Sequence, residues 1–162
     1  MIKNPGIEKA IQKIRHYCAY QERSHFETRE KLYSLGLYKN QVEQIMANLV
    51  EENYLNEERF AIAYAGGKFR MKKWGRLKIS HALAQKKVSS YCIKTALSGI
   101  DEAEYEKTIS DLAKAKYRAL KNEKNEAVKT KKIIQYLLQK GYEYAAISGI
   151  IKNINFKKYN MK

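Results

Sequence analysis

The sequence predicts an all-α protein: three tandem three-helix, helix-turn-helix-like repeats in an elongated, curved arrangement. Three observations predict it. Apolar residues recur at helical spacing through most of the chain, as in Val42, Ile45, Met46 and Leu49, in Phe60, Ala63 and Tyr64, and in Tyr105, Ile109, Leu112 and Ala113. One Pro and 8 Gly in 162 residues supply few of the turns that an all-β fold needs. A helix–turn–helix pattern also returns three times. With Gly36, Lys87 and Gly141 aligned, Leu32, Leu83 and Leu137 stand four residues earlier, and Leu37, Val88 and Tyr142 one later. Val42, Ile93 and Ile147, then Met46, Leu97 and Ile151, then Leu49, Ile100 and Ile154 continue the match. The spacings, 51 and 54 residues, lie in the range of stacked helical units.

Each element has its own local cause. One more helix precedes each pair, the first over 6–21. Ser24-His25-Phe26-Glu27 reads as a capping box that starts a helix over 25–35, and Gly36 suits the left-handed position that ends it. A third helix covers 40–52. Asn56 N-caps a helix over 57–72, which is followed by a pair over 76–86 and 90–99. Asp101 N-caps a long connecting helix over 102–121, and the last pair covers 125–140 and 143–153, with Gly141 in its turn. The expected units are therefore 1–55, 56–100 and 101–154, with a loose tail at 155–162. Each unit has too few apolar residues for a robust core of its own, so neighbours should lean on one another.

Composition sets the class. Hydrophobic residues make up 44% and charged residues 30%, which argues against wholesale disorder. No run approaches the roughly 20 apolar residues of a membrane span. The opening Met-Ile-Lys-Asn-Pro-Gly lacks the apolar core of a signal peptide. Cys18 and Cys92 are too few for a disulfide framework and read as reduced thiols. A soluble, monomeric, cytoplasmic protein is expected.

Charge points to the partner. There are 32 Lys and Arg against 17 Asp and Glu, a net +15. An excess of this size attracts polyanions over a long range. It is concentrated: residues 59–100 hold 10 basic and no acidic side chains, and residues 127–162 hold 8 basic and 1 acidic. The densest run is Lys68, Arg70, Lys72, Lys73, Arg76 and Lys78, with Trp74 and Gly75 inside it. A helix ending near Lys72 and another starting at Arg76 would crowd these cations around a junction, where the N-terminal N–H groups of the second helix also suit an anion. With no acidic residue in the tract, Lys72, Lys73, Arg76 and Lys78 are expected to be unpaired and to face solvent. Lys129, Lys131 and Lys132 form a second candidate block. Trp74 is read as packing beside a turn. The crowd of Tyr17, Tyr20, Tyr33, Tyr38, Tyr54 and Tyr64 is read as capping a small core.

Catalysis fits poorly. His16, His25 and His81 are scattered, and His16 with Cys18 supplies too few ligands for a metal. Gly66-Gly67-Lys68 resembles the end of a phosphate loop, but Ile62 stands where its first Gly belongs and Phe69 where Ser or Thr is required. A loosened helix end or a close helix crossing explains these glycines better. Sequence reading of DNA is also disfavoured. Ser89-Ser90-Tyr91-Cys92-Ile93-Lys94 offers few side chains for bidentate base contacts, so backbone or acidic-groove contact is expected. No cofactor, metal or catalytic residue is expected.

Four segments carry a family resemblance. They are Ser24–Leu32 with Gly36; Glu52-Asn53-Tyr54-Leu55-Asn56-Glu57-Glu58-Arg59-Phe60-Ala61; Lys73-Trp74-Gly75-Arg76-Leu77-Lys78-Ile79 with Leu83; and Leu138-Gln139-Lys140-Gly141-Tyr142 with Ile147. In order and spacing the chain resembles RecX, the family of bacterial regulators of the RecA recombinase, over about 16–154. The tract at 52–61 is the most specific and departs from the family pattern at Asn56 and Glu57, where paired Asp residues are usual. The resemblance implies three tandem three-helix repeats and a non-enzymatic modulator. It implies binding in the groove of the RecA–DNA filament, limiting ATPase and strand exchange, and so a bearing on DNA recombination, repair and the SOS response. The alternative is a sequence-nonspecific protein that binds single- or double-stranded DNA through its basic face.

Overall fold

The computed structural model of the protein describes residues 5–159. Among them are nine α-helices and one short 3-10 helix, and no strand. They are α1 (Pro5–Tyr20), α2 (His25–Ser34), α3 (Lys39–Glu51), α4 (Glu57–Lys72), α5 (Arg76–Gln85), α6 (Ser90–Ser98), α7 (Glu102–Ala119), α8 (Glu126–Gln139), α9 (Tyr144–Lys152) and the 3-10 helix Phe156–Tyr159. The expected all-α fold of helix triplets is present, with helix ends within two residues of those read from the sequence.

The repeat alignment has a backbone cause. Gly36, Lys87 and Gly141 all take the left-handed conformation, with φ of 86°, 61° and 95°. Their N–H groups donate to the carbonyls of Tyr33, Ala84 and Leu138. The next residue's N–H donates from Val88 to Leu83 and from Tyr142 to Leu137. This is the Schellman arrangement, whose apolar partners are the residue after the left-handed one and the residue four before it. Leu83 with Val88 and Leu137 with Tyr142 are such pairs, and Leu32, Leu83 and Leu137 are all fully buried. The strongest columns of the repeat thus share a left-handed helix end in all three copies, closed by the full Schellman pair of bonds in the second and third.

Contacts divide the chain into two compact units: one of residues 1–64 with 82–96, the other of residues 65–81 with 97–162. The middle triplet contributes to both, in keeping with triplets too small to close cores alone. In the first unit, Ile14, Cys18, Leu32, Val42, Ile45, Met46, Leu49 and Leu55 form the core. Ser24 caps α2 in a capping box, accepting from the Glu27 N–H while the Glu27 carboxylate accepts from its own. The family-like tract at 52–61 is a structural joint in this unit. Arg59 donates to the carbonyl of Asn53 at 3.1 Å, to the Asn53 side chain at 3.1 Å and to Glu22 at 2.5 Å. Leu55, Phe60 and Ala61 are buried beside it. Asn56 accepts from the Arg59 N–H at the start of α4, and the Glu57 carboxylate accepts from the Ser89 N–H before α6.

In the second unit Phe69, Tyr105, Ile109, Ala113, Tyr117, Ile133, Leu137, Tyr142 and Ile147 are buried. Rings are central to it: Tyr105 lies 5.7 Å from Phe69 and 5.2 Å from Tyr142 between centroids.

Three expectations change. The loose tail from 155 onward begins as a 3-10 helix whose Phe156 stacks on Tyr117 at 4.8 Å; residues 160–162 lie outside the described residues. Gly66 and Gly67 sit inside an unbroken α4, where a Cβ at Gly67 would meet nothing and one at Gly66 only the Arg70 guanidinium. They are neither a helix end nor a close crossing. Tyr20 and Tyr38 do not cap a core, since each is 76% exposed.

The left-handed column makes two predictions. Lys87→Gly should stabilise the protein by about 0.5–1 kcal/mol, because the exposed Lys87 bears the left-handed strain that a glycine there would not. Leu83→Ala should destabilise it by about 2–5 kcal/mol. Urea unfolding of both variants checks the pair. An unchanged midpoint for Leu83→Ala would remove the physical basis of the repeat.

Candidate polyanion interface

The basic tract is held open by a turn that another turn locks in place. α4 ends at Lys72, and Lys73 follows in the left-handed conformation, with φ of 58°. The turn that ends α8 packs against this segment by backbone contact. The Gly75 N–H donates to the carbonyl of Lys140 at 2.8 Å, and the Leu77 N–H to that of Gly141 at 2.9 Å. Two side chains complete the lock: the Tyr142 hydroxyl donates to the Lys73 carbonyl at 2.7 Å, and the Lys140 ammonium to the Lys72 carbonyl at 2.9 Å. The approach leaves no room for a side chain. A Cβ on Gly75 would lie 2.4 Å from the Gly141 carbonyl carbon, and one on Gly141 would lie 2.3 Å from the Lys78 Cβ.

The lock presents cations. Arg70, Lys72, Lys73 and Lys78 are exposed and Lys68 is half-buried. Trp74, half-buried, carries the Lys78 ammonium 4.6 Å and the Lys68 ammonium 5.0 Å from its ring centroid. The indole packs beside the turn, as expected, and also anchors two lysines. Lys140 joins the group from 62 residues beyond Lys78. Its pKa is lowered, first by burial and then by the neighbouring Lys78 and Lys72 charges. Mutual repulsion of this kind is what an anion placed among the lysines relieves. Sequence reading missed Lys140, and only its place in the turn next to Gly141 hinted at it.

Other expectations fail here. Arg76 is not free. It pairs with Glu102 at 2.5 Å and with Glu143 at 3.2 Å, and its guanidinium carbon lies 3.9 Å from the Tyr105 ring centroid. Its partners stand 26 and 67 residues onward, so a tract without acids still found two. The Tyr105 hydroxyl donates to Glu143 and accepts from the Arg76 N–H. Burial, first, and the Glu143 carboxylate push this phenol far up. The start of α5 has little backbone to offer an anion, because the N–H groups of Gly75, Arg76 and Leu77 are already bonded internally. In the second block Lys129 is 4% exposed, with its ammonium 4.4 Å from the Tyr117 ring centroid and 3.7 Å from Glu126. It is an interior residue. Lys131 is exposed, and Lys132 is exposed but lies 3.6 Å from Glu123.

Ammonium groups on flexible stems around an indole recognise charge rather than a base edge. Among the described residues no group of three His, Cys, Asp or Glu could hold a metal, and no helix is long and apolar enough to cross a membrane.

These features define a helical-repeat protein with a cationic turn. The second three-helix domain of RecX matches residues 56–97 and the third matches residues 103–151. "Regulatory protein RecX" of Clostridium perfringens (strain 13 / Type A) is 34% identical over 134 residues, covering 82% of this chain and 62% of that protein. The protein of the same name from Clostridioides difficile (strain 630) is 28% identical, covering 94% of this chain and 72% of its own. The chain thus spans under two thirds of the length of the first of these relatives. The crystal structure of RecX from Lactobacillus salivarius superimposes with a TM-score of 0.83 at 24% identity, over 91% of this chain and 95% of that one. A second RecX crystal structure gives 0.82 at 22% identity, over 91% of this chain and 72% of that one. The chain belongs to the RecX family.

Arg76→Ala should therefore act on stability. Leaving the Glu143 and Glu102 carboxylates and the Tyr105 ring without the guanidinium should cost about 1–3 kcal/mol. Lys72→Ala and Lys73→Ala should each move stability by under about 0.5 kcal/mol. Thermal unfolding of the three variants separates the roles. Equal, negligible effects would return Arg76 to the exposed set.

Proposed function

We propose that this protein regulates a RecA-type recombinase without being an enzyme. It binds in the groove of the recombinase–DNA filament and limits ATPase and strand exchange. The carrying observation is the lysine cluster built by the interlocked turns. A filament groove offers carboxylates beside DNA phosphates, and Lys72, Lys73, Lys78 and Lys140 are point charges suited to both. Family membership supports the partner. The proposed organisation is three repeats, 1–55, 56–100 and 101–154, acting as a monomer in the cytoplasm with no cofactor.

The second reading is binding of nucleic acid without the recombinase, favoured by the indole among the lysines, since aromatic rings and cations together suit a strand. Affinity for bare single- and double-stranded DNA, compared with recombinase-coated DNA, separates the two. A preference of about tenfold for the coated form, worth about 1.4 kcal/mol, supports the regulator. Equal affinity supports the alternative.

The quadruple variant Lys68→Ala, Lys72→Ala, Lys73→Ala, Lys78→Ala should stay folded and lose most inhibition of recombinase ATPase. If the contacts are to phosphate, the slope of log affinity against log salt should shrink by about 0.7–0.9 per lost contact. If they are to carboxylates, inhibition should fall with a smaller change in slope. Normal inhibition by the folded variant would contradict the assignment. Binding should also weaken as pH rises through the lowered pKa of Lys140, since the cluster then loses one of its positive charges. In Lys140→Arg this alkaline fall should be absent.

A further inference from the structure

We propose that the first unit carries a separate site for a short run of single-stranded nucleic acid, on the hollow between α1 and α2. The hollow has a volume of about 720 Å3. Lys9, Lys13, His16 and Tyr20 line it from α1, Arg23 from the following loop and Lys31 from α2. No carboxylate is among its lining residues. The charge count hides this site, because residues 1–58 hold 8 basic and 9 acidic side chains and look neutral.

The geometry divides the work. Lys9 and Lys13 are one helical turn apart, both exposed, with no carboxylate within 4.0 Å among the described residues. Tyr20 is 76% exposed at the end of the same helix, against the expectation that the tyrosines of this region pack. Its ring is a free stacking platform. Arg23 is fixed: its Nε donates to the Tyr17 carbonyl at 3.1 Å, and its guanidinium carbon sits 3.8 Å from the Tyr17 ring centroid. A guanidinium held over a ring and by a carbonyl is pre-organised to meet a base or a phosphate at little entropic cost. Lys31 stands over the same ring at 5.8 Å. From Lys9 to Tyr20 the helix rises about 16 Å, longer than one nucleotide. The hollow is also open. Both features favour a strand lying along α1, with phosphates on Lys9 and Lys13 and a base on Tyr20. An acidic peptide would use the cations and leave Tyr20 without a role.

Crosslinking tests this at the site itself, apart from the lysine turn of the other unit. A twelve-residue oligodeoxythymidylate carrying 5-iododeoxyuridine is irradiated with the full chain, and adducts are located by peptide mass spectrometry. Adducts at Tyr17 or Tyr20 are expected. In the quadruple lysine-to-alanine background, Tyr20→Ala should weaken oligonucleotide binding about fivefold or more, and Tyr20→Phe should bind normally. Lys13→Glu should weaken it further. Adducts confined to residues 68–78, or normal binding by Tyr20→Ala, would overturn the site. So would a polyglutamate peptide that displaces the oligonucleotide equally well from Tyr20→Ala and the parent, since the hollow would then be a charge surface only. The readouts do not involve the recombinase, so failure here leaves the regulatory proposal standing.

Discussion

The meeting of two glycine turns is the constraint on which the second unit depends. Gly75 and Gly141 come so close that either Cβ would overlap the opposite segment, at 2.4 and 2.3 Å. Backbone donors then reach backbone acceptors directly, Gly75 to Lys140 and Leu77 to Gly141. Everything cationic nearby follows from that contact. It fixes where α4 stops, places Lys73 in a left-handed conformation, and brings Lys140 against Lys72 and Lys78. The buried ring cluster of Phe69, Tyr105 and Tyr142 adjoins it, and the Tyr142 hydroxyl ties that cluster to the Lys73 carbonyl.

The same tract separates residues that hold from residues that are free to bind. Arg76 lies among the lysines in sequence, but its guanidinium is drawn onto Tyr105, Glu102 and Glu143. Lysine and arginine divide here by chemistry. The planar, delocalised guanidinium stacks and forks between two carboxylates, whereas the ammonium groups are compact point charges on flexible stems. A contact surface made of lysines can adapt to an irregular array of anions without disturbing the lock below it.

Helices, turns and repeat were legible in the sequence because their causes are local. Ser24 with Glu27, Asn56, Asp101 and the left-handed trio of Gly36, Lys87 and Gly141 each act within a few residues. Leu32, Leu83 and Leu137 matched across copies because each is the buried apolar residue of the same helix end. The site was half legible. Lys72, Lys73 and Lys78 are exposed as expected, but Arg76 and Lys129 are not free, and Lys140 was overlooked. These misses share a cause. Whether a cation is paired depends on residues such as Glu143, 67 positions away, which a local charge count cannot see. The tract at 52–61 shows the converse: its family-like character is explained by Arg59 tying the end of α3 to the start of α4.

The central claim is that the lysines around the interlocked turns are the contact surface for a recombinase–DNA filament. Acetylation footprinting tests it most directly, by comparing the reactivity of each lysine in the free protein and in the protein bound to recombinase-coated single-stranded DNA. The account predicts strong protection of Lys72, Lys73, Lys78 and Lys140, with Lys94 and Lys107 reacting as before. Unchanged reactivity of those four in a saturated complex would contradict it.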